Sequence, residues 1–181
     1  MQYQIFTEGD DIQFIKTYCN FLGIADKIVS YVKTEGWTKI PLVKTKFLEA
    51  TNSNITNIVI FDADNDIDTR RIELYNQRDE LNLKFELFLQ PNNIDNGCFE
   101  DLVLKIIPEQ NIHLLTCFDA YENCINSQNF NLVLSKKSKF YAYVEATNQN
   151  SKKIQYDNNN YWNLESDYLN ELKSFLINNI I

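Results

Sequence analysis

Asn57-Ile58-Val59-Ile60-Phe61-Asp62-Ala63-Asp64 is the stretch that decides the fold. After Asn57, Ile58-Val59-Ile60-Phe61 form an unbroken, mostly β-branched apolar run too short for a helix of ordinary length. Such a run, without polar alternation, predicts a strand buried on both faces, as in the middle of a parallel sheet. It empties directly into Asp-x-Asp, so charge begins where burial ends.

Working outward, the pattern alternates. Residues 3–6 are β-prone and run into Thr7-Glu8-Gly9, a strand followed by a turn. Asp10 or Asp11 caps a helix whose apolar positions are Ile12, Ile15, Cys19 and Leu22, and Gly23 ends it. Residues 24–33 read as a short second helix. Residues 37–43 read as a strand that Pro41 keeps away from the sheet centre, and residues 47–54 as a short helix or a loop. Residues 67–81 predict a charged amphipathic helix with Ile72, Tyr75 and Leu81 on its apolar side. Residues 83–89 predict a strand, and 98–107 an apolar helix closed by Pro108. Strands alternating with helices over 3–107 predict an α/β fold, a mainly parallel sheet with helices on both faces. Beyond Pro108, residues 113–127 and 164–177 read as helices and 140–146 as helix or strand. Neither a repeat nor a linker divides the chain. We therefore expect one domain over 1–181, an α/β core at 1–107 and a mostly helical C-terminal extension at 108–181 packed on it.

Composition narrows the classes. The chain has 181 residues, 44% hydrophobic and 13% aromatic, enough for one substantial core and too rich in aromatics for disorder. The N-terminus lacks a basic segment followed by an apolar one, and no apolar run is long enough for a membrane span. The expected setting is cytoplasmic, with Cys19, Cys98, Cys117 and Cys124 reduced. The formal net charge of −8 argues against a protein that coats nucleic acid by charge alone. That acidity is local: Glu8, Asp10 and Asp11 form one cluster, and Asp62, Asp64, Asp66 and Asp68 another.

Both clusters follow strands. In open parallel sheets the C-terminal strand ends form the binding crevice, so Glu8, Asp62 and Asp64 are expected to converge there. Carboxylates held together repel one another, and a hard divalent cation, Mg²⁺ or Mn²⁺, relieves that repulsion. Other chemistries lack their residues. Asp62 to Glu73 matches an EF-hand loop at its acidic positions, but Ile67 stands where the sharp turn needs Gly. His113 is the single histidine and reads as a core residue. The cysteines form no C-x-x-C pair, and no Walker, Gly-x-Gly-x-x-Gly or Gly-x-Ser-x-Gly element occurs.

Glu8-Gly9 after a first strand and Asp62-Ala63-Asp64 after an Ile-Val-Ile-Phe strand resemble the TOPRIM domain of topoisomerases, primases, OLD-family nucleases and small ribosomal-RNA maturation nucleases. Phe88-Leu89-Gln90-Pro91-Asn92-Asn93, Gly97, Glu100-Asp101-Leu102, Tyr161-Trp162-Asn163 and Leu172-Lys173-Ser174-Phe175-Leu176 resemble a bacterial TOPRIM-like family of unknown function related to the OLD nucleases. That resemblance spans most of the chain, although the loop from Glu8 to Asp11 is one residue shorter than the pattern.

The resemblance implies a Rossmann-like TOPRIM core and a Mg²⁺-dependent nuclease or related phosphodiester-processing protein acting on DNA or RNA. Glu8 would serve as general acid/base or metal ligand, and Asp62 and Asp64 as metal ligands, with Glu100 and Asp101 adding carboxylates at the start of their helix. Lys136, Lys137 or Lys139 would neutralise charge in the transition state. The alternative implied is a catalytically degenerate TOPRIM-like module that binds or regulates nucleic acid together with a partner protein, such as an ATPase. A topoisomerase would need a nucleophilic Tyr on a separate domain, for which this length leaves no room.

Overall fold

The computed structural model describes residues 1–128 and 133–180. Four strands form one sheet: β1 (Gln2–Thr7), β2 (Ile28–Lys33), β3 (Ile55–Asp62) and β4 (Glu86–Gln90). Their spatial order is β2-β1-β3-β4, and every pairing is parallel. The chain leaves β1 for β2 on one side and then crosses to β3 on the other. The connections are α1 (Ile12–Phe21) between β1 and β2, α2 (Lys44–Asn52) between β2 and β3, and α3 (Ile67–Glu80) between β3 and β4. After β4 come α4 (Phe99–Lys105), α5 (Ile112–Ser127), α6 (Lys136–Ala146) and α7 (Asn170–Ile180). This is an α/β fold with a Rossmann-like parallel sheet.

The alternation of strand side chains sorts them into two cores. Ile5, Ile58, Ile60 and Phe88 pack with α1, α4, α6 and α7, whereas Phe6, Val59, Phe61, Leu87 and Leu89 pack with α2 and α3. Burial of 58–61 on both faces follows directly, since successive residues point to opposite layers and both are filled. The C-terminal third supplies much of the first core. Trp162 is 1% exposed and lies in one cluster with Tyr143, Tyr156, Leu172 and Leu176 and the strand residues Tyr3 and Ile5. Buried Asn57 ties the second layer together. Its Nδ2 donates to the carbonyls of Phe47 and Lys84 and to Thr51 Oγ1, each at 3.1 Å.

Several local expectations need correction. Residues 24–33 contain the edge strand β2, preceded by a short 3₁₀ turn over Ala25–Lys27. Ile28 and Val32 are both buried but in different cores, Ile28 in that of α1 and Val32 in that of α2 and α3, with a register shift between Tyr3 and Gln4 of the neighbouring β1; the β-branched residues and pairing with β1 decide for the strand. Trp37–Val43 is a 3₁₀ helix, not a strand. Pro41 has no N–H for a ladder, and β2 already occupies that sheet edge. In α3 the buried residues are Ile67 and Leu74, while Ile72 is 61% exposed. Positions 67 and 74 lie two turns apart on one face, and 72 falls off it. His113 is exposed on α5, a helix without buried residues. Residues 136–146 are helical from Ser135, whose hydroxyl accepts the Ser138 N–H, and α7 begins at Asn170 instead of Leu164. Among the described residues no helix is long and apolar enough to cross a membrane.

Candidate functional site

Order β2-β1-β3-β4 puts the reversal of winding between β1 and β3. Outside the carboxyl ends of such a pair the two connections diverge to opposite faces and leave a crevice. Glu8 follows β1 and Asp62 ends β3, so both stand at that crevice. The Asp62 N–H donates to Glu8 Oε1 at 3.2 Å, which joins the two strand ends directly. Asp62 Oδ1 accepts the Phe99 N–H at 2.8 Å, which binds the start of α4 to the same point. Asp11 is 5% exposed, and its Oδ1 accepts the Gly9 N–H at 2.8 Å, closing the turn after β1.

A cavity of about 740 Å³ opens here. Its acidic wall holds Glu8, Asp11, Asp62 and Glu100, with Asp10 and Glu35 farther along; Lys33, Lys137 and Lys152 line it as well. Six carboxylates thus share the space with three lysines. Burial pushes Asp62 up to about 8, helped by repulsion from Glu8, Asp11 and Glu100. Burial and the nearby Asp64 charge push Glu8 up to about 7, against the opposing hydrogen bond from Asp62. Asp11 rises to about 6, chiefly by burial. Near neutral pH the site therefore holds protons that exposed carboxylates would have released.

The remaining expected residues are placed differently from one another. Glu100, 8% exposed, faces the cavity. Asp101 turns back on its own helix, Oδ2 accepting the Cys98 N–H at 2.9 Å and a bond from Lys136 Nζ at 2.6 Å. Lys136 is thereby engaged, and Lys139 is likewise engaged with Asp119 at 2.5 Å. Lys137 reaches the cavity wall. Asp64 does not line it. Its backbone is left-handed (φ 54°), its N–H donates to the Gly97 carbonyl at 2.7 Å, and its Oδ2 accepts from Arg70 Nη2 at 2.6 Å. Arg70 in turn stacks on Trp37, 4.1 Å from the ring centroid. Among the described residues, no three Asp, Glu, His or Cys side chains are placed to hold one ion together.

The sequence reads Asp11 as a helix cap or member of an acidic cluster, carries Gln90 only as part of a resemblance motif with no role, and gives no signal for Tyr141 or Tyr156. Gln90 ends β4 opposite Asp62, on the sheet face of Phe88. It is fully buried, and neither its Oε1 nor its Nε2 has a partner. Thr7 Oγ1, also fully buried, lies beside the Asp11 carboxyl without a well-formed hydrogen bond. Polar atoms are seldom left so in a folded interior, and two such residues flank Asp62 on one sheet face.

No curated protein and no solved structure matches the chain. One family model matches residues 2–180, and the chain belongs to that family, the proteins of unknown function DUF3226.

Proposed function

We propose that the β1/β3 crevice is a divalent-cation-dependent site for phosphodiester processing on DNA or RNA, of the TOPRIM nuclease type. The observation that carries this reading is the convergence of Glu8, Asp11, Asp62 and Glu100 on one cavity at the switch point of a parallel sheet. So dense an acidic wall would repel a phosphate unless something of opposite charge were added. The donor set suits Mg²⁺ or Mn²⁺, because all the groups offered are hard oxygens. Mg²⁺ commonly takes only one or two carboxylates and keeps several waters. Asp62, with Glu100 in the same cavity, meets that need without a third protein ligand and leaves Glu8 as the base, and the unpartnered amide of Gln90 and hydroxyl of Thr7 suit ordered water nearby.

When bound, the cation would supply Lewis-acid polarisation and neutralise charge on the phosphoryl oxygens. The chain's own residues do the rest. Hydrolysis forms one P–O bond to water and breaks one to the leaving oxygen. Glu8, at the edge of the cavity, takes the water's proton, and that proton returns to the leaving oxygen. Lys137, which lines the same cavity, serves as a counter-charge to the phosphate.

The second reading, a partner-dependent module without catalysis of its own, has one specific observation in its favour. Asp64, the third carboxylate of the motif, is tied to Arg70 outside the cavity. Incubation of plasmid, single-stranded DNA and structured RNA with Mg²⁺ or Mn²⁺ separates the two. Cleavage that Glu8→Ala and Asp62→Ala abolish supports the first. A metal-induced rise in melting temperature without cleavage supports the second, and absence of any metal effect at millimolar concentration removes the first.

A further inference from the structure

The cavity also has an aromatic and basic lining, and most of the aromatic part is explained by packing. Phe99, Phe140 and Tyr156 are 8%, 3% and 2% exposed and belong to the core around Trp162. Tyr141 is only partly so: its ring tilts against Phe140, 5.1 Å between centroids, yet it lines the same cavity at 40% exposure. Lys137 lies four residues earlier on α6, on the same helix face, and also lines the cavity. Lys152 approaches from the segment that follows α6. Among the described residues Lys33, Lys136 and Lys139 are ion-paired, whereas Lys137 and Lys152 are not.

We propose that Tyr141 is a base-stacking platform and that the cavity receives an unpaired nucleic-acid strand, DNA or RNA, in preference to a duplex. Resting on the phosphodiester reading above, it places the strand's phosphates between the Lys137–Lys152 side and the Glu8–Asp62 side, with a base against Tyr141. Two physical arguments select a single strand. The cavity has the volume of a small-ligand pocket, room for about one or two nucleotides and not for a helix. A base in a duplex already has both faces stacked, so only an unpaired base gains from a tyrosine ring, by roughly 1–3 kcal/mol for each base so stacked. With so few unpaired lysines, electrostatic attraction is weak, and stacking must carry a large share of the affinity.

The test is fluorescence anisotropy of the full chain with a short labelled single strand and with the corresponding duplex, as DNA and as RNA, with Ca²⁺ replacing Mg²⁺. The single strand is expected to bind at least tenfold more tightly than the duplex. Tyr141→Ala should weaken that binding about 5- to 150-fold, the range one stacked base supplies, and Tyr141→Phe should retain it. Tyr141 is exposed, so both variants should melt as the wild type does. Equal binding by Tyr141→Ala, equal binding of duplex, loss in Tyr141→Phe as large as in Ala, or no strand binding would each overturn the inference. Strand binding that follows Tyr141 without any Glu8-dependent cleavage upholds it and overturns the catalytic reading. Glu8-dependent cleavage that ignores Tyr141 does the reverse.

Discussion

Replacing Asp62 by Asn should make the metal-free chain more stable at neutral pH. The carboxyl, at about 8 in the folded state against an ordinary 3.8, keeps a proton that the unfolded chain has already released. Between those two values the folded state binds more protons than the unfolded one, so stability falls as pH rises through the window. At pH 7 the full shift would cost about 4 kcal/mol, at about 1.4 kcal/mol for each pH unit separating the ordinary value from neutrality. Asp62 is only partly buried, and its repulsion with Glu8 is shared between the two groups, so about half of that, ~2 kcal/mol, is the expected gain. Asn keeps the shape and an oxygen to accept the Phe99 N–H, so the substitution removes the charge without opening a hole. For a chain of this size the gain corresponds to a rise in melting temperature of ~4–8 °C. The assay is thermal unfolding in EDTA from pH 4 to pH 9, wild type beside Asp62→Asn. The two curves should meet near pH 4, where the wild-type carboxyl is protonated in both states, and separate steadily towards pH 8. A difference that does not change with pH, or a less stable Asn variant throughout, would refute the electrostatic account of the site.

Four other outcomes are expected. Millimolar Mg²⁺ should raise the wild-type melting temperature, by the equivalent of ~2.7 kcal/mol where its concentration is a hundred times the dissociation constant; Asp62→Asn should lose most of that rise in the same calorimetric scan. Trp162→Ala should cost ~3–5 kcal/mol in denaturant unfolding, because the ring is buried among Phe140, Tyr143 and Tyr156. Asn57→Ala should cost ~1–3 kcal/mol by the same measurement, since the Phe47, Thr51 and Lys84 acceptors lose one shared donor. Removal of the lysine side chains by Lys137→Ala and Lys152→Ala together should weaken nucleic-acid binding and flatten its salt dependence, whereas Lys139→Ala, whose amine is held by Asp119, should change neither.

Long, strongly patterned elements could be read directly. The apolar run 58–61 could be read as a strand covered on both faces because it is short, rich in β-branched residues and ends at once on charge. The short elements were harder. Residues 28–33 bury Ile28 in one core and Val32 in the other, which matches neither a helical face nor strict alternation, and only pairing with β1 resolves it. Residues 37–43 have strand-like composition, yet the sheet edge they would need belongs to β2.

The candidate site divides along the same line. Sequence by itself determined that Glu8 and Asp62 follow strands of a parallel α/β pattern, because burial and strand propensity are local and alternate with a fixed period. Strand order is not local. Only the tertiary structure set β1 beside β3 and brought Glu8 into hydrogen-bonding distance of the Asp62 backbone. It also decided which acidic and basic residues share the cavity. Glu100 and Lys137 face it, while Asp64, Asp101 and Lys136 are held by other partners. A one-residue step along a helix or turn sends neighbouring side chains in different directions, and the groups that capture them range from Arg70, on the next helix after Asp64, to Lys136, far from Asp101 in the chain. That is why Tyr141, with no motif around it, became visible only once α6 was placed along the same cavity as the ends of β1 and β3.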